Sequence, residues 1–156
     1  MSKNTDISKK KIVAITLPHC FEDETVICNS LFARGLERLH LRKPDSSEEV
    51  YEEFIGRIEP RYRARLVIHN YFHLAKKYRL QGIHLSSSLY RSFRDFDKYR
   101  FVSVSCHSVE EIEAMAKWLA SLDRDITYHL TRFFPNWHMQ DRGPTPVKDI
   151  RALVEV

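Results

Sequence analysis

A chain of 156 residues, 43% of them hydrophobic, is long enough for one domain with a real core and short for two. Its net charge of +4 and sequence pI near 9.0 come from bases scattered among acids. The single like-charge block is Lys9-Lys10-Lys11, which argues against nucleic acid as a partner and for a chain that tolerates anionic ligands. Three cysteines, Cys20, Cys28 and Cys106, show no CxxC spacing, which speaks against zinc and suits a reducing cytosol. No apolar stretch is long enough for a signal or a span, so the expected location is the cytoplasm, away from membranes.

Residues 1–10 are polar and read as a disordered tail, leaving 11–156 as the domain. Lys11 to Leu17 reads as a buried parallel-type strand closed by Pro18. A helix from about Asp23 to Arg34 follows, with Val26, Ile27, Leu31 and Phe32 as its inner stripe and Gly35 as its stop. Glu37 to Lys43 is the next strand, ended by Pro44. Ser46 or Ser47 caps a helix reaching about Ile58, its apolar residues Val50, Phe54 and Ile58 four apart.

The stretch Arg65 to Ser88 organises the rest. An apolar run, Leu66-Val67-Ile68, stops at His69-Asn70; a helical spacing follows; Gly82 then introduces a second run, Ile83-His84-Leu85, that ends in three serines. Strand, helix and strand with no hairpin turn must be a parallel βαβ unit. Leu89 to Tyr99 is an aromatic, basic connection, and Phe101 to Cys106 is another strand. Ser108 and Glu111 form a capping box for a helix with Ile112, Met115, Ala116 and Leu119 inside. Ile126 to Phe134 reads as a sixth strand and Pro146 to Val154 as a last helix. About six β-then-α units in strict alternation predict an α/β fold with a parallel sheet, doubly wound or rolled toward a barrel.

The strand-end words then become recognisable. His40-Leu41-Arg42-Lys43-Pro44, His69-Asn70 followed by Leu74-Ala75, Gly82-Ile83-His84-Leu85-Ser86, and Ser103-Val104-Ser105-Cys106-His107-Ser108 through Glu111 stand in order at successive strand ends. Together they resemble the phrases of the thiamine phosphate synthase and thiazole tautomerase superfamily, over Lys11 to about Leu122. The resemblance implies a (β/α)8 TIM-type barrel, incomplete here because the chain stops where a sixth helix would stand. It further implies joining of a pyrimidine pyrophosphate to a thiazole phosphate with release of pyrophosphate. A metal-independent tautomerase or a truncated, non-catalytic ligand-binding remnant are the alternatives. A C-terminally truncated barrel leaves free sheet edges, which predict pairing of two copies through them, a covering segment such as Gln140 to Val156, or poor solubility.

Magnesium is the cofactor the resemblance implies, yet its two carboxylate ligands are unmatched. Asn70, a neutral amide, stands at the first position, and Ser88 or Leu89 falls near the second; a hard dication prefers anionic oxygen. Arg42 is the expected phosphate anchor, since a guanidinium grips phosphate by two parallel hydrogen bonds at any working pH. His40, two residues earlier on the same face, and Lys43, Asn70, Ser86 and His107 complete the expected substrate-binding set. His69 and Ser105 are the expected catalytic residues, histidine being able to move a proton near neutral pH. His84, between Ile83 and Leu85, reads as a core histidine. The sixth-strand text, His129 to Trp137, departs from the superfamily's Ser-Pro-Val-Phe. A local disturbance of the reading frame over Leu130 to Phe134 would account for it.

Overall fold

The computed structural model describes residues 12–122, 143–144, 146–148 and 151. The expected tail, the sixth strand at 126–134 and most of the last helix lie outside the described residues. The chain forms two compact units, 1–105 and 106–156.

In the first unit, β1 (Val13–Ile15), β2 (Arg38–Leu41), β3 (Leu66–Ile68), β4 (Gly82–Leu85) and β5 (Val102–Val104) pair in that order, every pair parallel. Between them run α1 (Glu24–Ala33), α2 (Glu48–Arg57), α3 (His73–Lys77) and α4 (Ser87–Tyr90), with 3₁₀ turns at Pro60–Arg65 and Phe96–Lys98. Sequential order with a helix after each strand is the curl of a TIM-type barrel, here an incomplete one of five described strands.

Strand side chains alternate between two faces, and the register decides which share one. One parity carries Leu39, Leu41, Leu66, Ile68, Ile83 and Leu85, all buried, and with them lie Phe32, Tyr51, Phe54, Ile55 and Leu74 from the helices. At about 1.5–3 kcal/mol for each large aliphatic side chain buried, this layer carries the fold. The other parity is thereby free to hold polar groups, and it holds His40, His69, His84, Ser103 and Ser105.

Two expectations fail near the first strand. β1 is not buried: Val13 and Ile15 are 49% and 61% exposed, because β1 pairs only with β2 among the described strands. In α1 the inner stripe is Glu24, Cys28 and Phe32, while Val26, Ile27 and Leu31 face solvent. Burial pushes the Cys28 thiol pKa up to about 11, so this cysteine is an inert core thiol. The stop at Gly35 stands, with φ 99° in the left-handed region that glycine enters freely.

The second unit contains α5 (Val109–Leu122), which buries Met115. Its start shows the first half of the expected capping box, with Glu111 N–H donating to Ser108 Oγ at 3.2 Å; the Glu111 carboxylate reaches one residue further back and accepts from His107 N–H at 2.7 Å. Among the described residues no helix is long and apolar enough to cross a membrane.

Candidate functional site at the strand ends

Three histidines from three neighbouring strands meet on the polar face. His40 Nδ1 lies 3.1 Å from His69 Nε2, so one of these nitrogens carries the shared proton. The rings of His69 and His84 stack with centroids 4.2 Å apart, and His40 meets both edge-on at 5.3 and 5.5 Å. His84 is held between two hydroxyls, Ser103 Oγ and Ser105 Oγ, each at 2.8 Å from a ring nitrogen. The register explains the meeting, because His84 stands opposite Ser103 and the β2–β3 and β3–β4 ladders carry the same level across to His69.

Burial holds these imidazoles neutral. His40 is lowered to about 4, chiefly by burial, then by the charge of His84 and of Arg38. His69 is lowered to about 3 by burial first, then by His84, His40 and Arg42. His84 is lowered by burial and by Arg42.

The stability consequence has a definite sign. In the unfolded chain both rings titrate near the ordinary 6.5, so below that pH the unfolded state binds more protons than the folded one. Stability contributed by neutral His40 and His69 is therefore complete above about pH 6.5 and declines as pH falls toward their folded values. The expected loss at about pH 5.5 is of the order of 1–2 kcal/mol, allowing for solvent screening. Urea unfolding across pH 8 to 5 checks this; an unchanged midpoint below pH 6 contradicts it.

Arg42 follows the end of β2 and is exposed. Its backbone is pinned on both sides by Thr16, whose hydroxyl accepts from Arg42 N–H at 2.9 Å and donates to Arg42 C=O at 3.1 Å. The guanidinium is close enough to His69 and His84 to depress both, and among the described residues it has no hydrogen-bond or ion-pair partner of its own.

Of the remaining expected residues, Asn70 stays at the end of β3, whereas Lys43, Ser86 and His107 fall elsewhere. Lys43 is fully enclosed, donating to Leu17 O and His19 O at 2.8 Å each and to both Glu24 oxygens at 2.8 and 2.7 Å. All its protons are engaged, so it braces the fold and has none to offer a substrate. Ser86 caps α4, accepting from Leu89 N–H at 3.3 Å. Asn70 is half-buried and leaves α3 without a side-chain cap, so helix capping does not explain it. The turn after it passes through Tyr71 at φ 52°, held by the Tyr71 hydroxyl donating to Ser46 O at 3.0 Å. His107 belongs to the second unit and is exposed.

The chain is similar to a solved thiamine phosphate pyrophosphorylase. That protein, from Bacteroides thetaiotaomicron, shares 36% sequence identity and a TM-score of 0.61 over 70% of this chain. The likeness supports the superfamily to which the strand-end phrases point. The chain spans 54% of the length of its solved relative. No family profile matches the chain, and neither does any curated protein.

Magnesium does not fit the donors at the described strand ends. It requires hard oxygen ligands in near-octahedral array, whereas no residue within two positions of the end of any described strand is a carboxylate. The rim offers imidazoles, an amide and hydroxyls instead. A cavity of about 560 Å³ does lie nearby, lined by Phe21, Glu24, Asp45, Phe54 and Arg57 among others. It sits beside the Lys43–Glu24 pair, and His40, His69 and His84 do not line it.

His84, Ser103 and Thr16 were missed as site residues. The signal available was parity: His84 and Ser103 share the alternation that places His40 and Arg42 together, once the β3–β4–β5 register is fixed.

Proposed function

We propose that the polar rim binds a phosphorylated heterocycle of thiamine biosynthesis, and that the chain serves a synthase-type coupling. The observation that carries this reading is Arg42: an exposed guanidinium, its backbone fixed by Thr16, beside His69 and His84 at the strand ends. The likeness to a thiamine phosphate pyrophosphorylase adds the substrate class.

In that coupling the bond between the pyrimidine's methylene carbon and the pyrophosphate oxygen breaks. Pyrophosphate leaves with the electron pair, and the thiazole nitrogen attacks the resulting cation. Arg42 holds the leaving pyrophosphate by charge-assisted hydrogen bonds. His69, neutral at working pH, and Asn70 contact phosphate or ring atoms as hydrogen-bonding groups. Ser105 faces the pyrimidine, oriented by its bond to His84.

The tautomerase alternative draws support from one feature, the neutral Asn70 where the synthase pattern has a carboxylate. Against it stands the weak basicity of His69, lowered to about 3, since a useful proton carrier titrates near the working pH.

The full chain is incubated with both substrates and product is followed by chromatography. Arg42→Met is expected to lower kcat/KM about 100-fold, the loss of roughly 3 kcal/mol of charge-assisted contact. Arg42→Lys should recover only part, lacking the two-pronged geometry. Absence of product together with absence of saturable binding of either phosphorylated heterocycle overturns the proposal.

A further inference from the structure

We infer that His40, His69 and His84 form a binding site for one first-row transition-metal ion of the zinc class. The three imidazoles come from β2, β3 and β4, and one ring nitrogen of each lies within 4.8 Å of the others. Two nitrogens on a tetrahedral zinc at 2.0–2.1 Å stand roughly 3.3 Å apart. His40 Nδ1 and His69 Nε2, at 3.1 Å, are already close to that spacing. The third nitrogen, within 4.8 Å of the others, reaches it through a movement of the His84 ring of up to about 1.5 Å.

The surroundings suit a ligand set. A ligating imidazole is normally oriented by a hydrogen bond from its second nitrogen, and His84 has a serine at each nitrogen. On metal binding one of those bonds opens and the other keeps the ring in place. Three imidazoles leave a fourth position for water or an anion. Arg42 and Arg38 place positive charge nearby and oppose a bare dication, which favours an anion as that fourth ligand. Cysteine spacing alone hides such a site, because its ligands come from three strands brought together by the parallel register.

This site concerns metal chemistry and stands whether or not the coupling reaction does; metal titration and substrate turnover fail separately. The full chain, stripped with a chelator, is titrated with Co2+ by visible spectroscopy and with Zn2+ by calorimetry. One saturable equivalent is expected, with affinity falling about 100-fold or more in His69→Asn. His73→Gln, which removes an exposed histidine paired with Glu48, should leave it unchanged. Long-range proton–nitrogen spectra of the unaltered chain supply a readout that needs no variant. Zn2+ should shift ring nitrogens of His40, His69 and His84 and leave those of His73 in place. Absence of saturable uptake, uptake unchanged in folded His69→Asn, or shifts confined to other histidines overturns the inference.

Discussion

Replacing Glu24 with glutamine is expected to lower the unfolding free energy by about 3–5 kcal/mol, the penalty for stranding one member of a buried ion pair. The Lys43 side chain is 0% exposed and that of Glu24 is 6% exposed, with 2.7 Å between nitrogen and oxygen. The other acceptors of the ammonium, Leu17 O and His19 O, are neutral carbonyls. They satisfy geometry without balancing charge. The Phe54 ring, its centroid 5.7 Å away, adds only a weak attraction to the cation. Lys43→Met should cost as much, because it leaves the Glu24 carboxylate enclosed without a counter-charge. The double variant Glu24→Leu, Lys43→Met separates the pair's net worth from the cost of breaking it. Apolar replacement of a whole buried pair is often neutral, so the double variant is expected to be more stable than either single one. Urea midpoints for the four proteins read this directly. A Glu24→Gln midpoint matching that of the unaltered chain refutes it.

That pair also explains what the sequence concealed. In α1 the helical spacing of apolar residues allows more than one inner face, and the face with Val26, Ile27 and Leu31 is the more hydrophobic. The rotation is fixed instead by Glu24, whose partner lies 19 residues away. Once Glu24 is drawn inward, Cys28 and Phe32, four and eight positions on, follow it into the core, and the aliphatic trio turns outward. Local periodicity contains no trace of that distant lysine. β1 misleads for a related reason: an apolar run from Ile12 to Leu17 reads as two-sided burial, but burial depends on neighbours that sequence does not reveal.

The central βαβ unit was legible because its signals are local. Leu66 to Ile68 ends at two polar residues, and Gly82 marks the start of the second run, so β3 and β4 fall where the text puts them. The strand-end position of Arg42 was legible from Pro44, which forbids further ladder pairing. His84 was not, since Ile83 and Leu85 make it look like core. Its serine partners sit 19 and 21 residues later. Alternation along one strand says which face a residue takes, but only the register between strands says whom it meets.

Gly82 is where that register is most exposed to disruption, and Gly82→Ala is expected to damage the fold severely. A Cβ placed there would stand 1.9 Å from Phe101 O, 2.7 Å from Phe101 C and 2.9 Å from Phe101 Cβ. The nearest obstacles are backbone atoms, which cannot swing aside as a side-chain tip can. The same Phe101 carbonyl accepts from Ile83 N–H at 3.0 Å, so relieving the clash pulls on the first rung of the β4–β5 ladder. Overpacking costs about 1–3 kcal/mol where neighbours can adjust; here the neighbour is paired main chain, and the expected loss is at or above the top of that range. Separation of β5 from β4 withdraws Ser103 and Ser105 from His84, so Arg42-dependent binding and metal uptake should weaken along with stability. Gly56 provides the internal contrast. It lies within α2 and nothing stands within 4 Å of an added Cβ, so Gly56→Ala should stabilise by about 0.5–1 kcal/mol through helix preference alone. Thermal melts of the two variants beside the unaltered chain should move in opposite directions. Equal shifts would mean that the β4–β5 approach does not constrain the sheet, and the placement of His84 between its two serines would lose its structural cause.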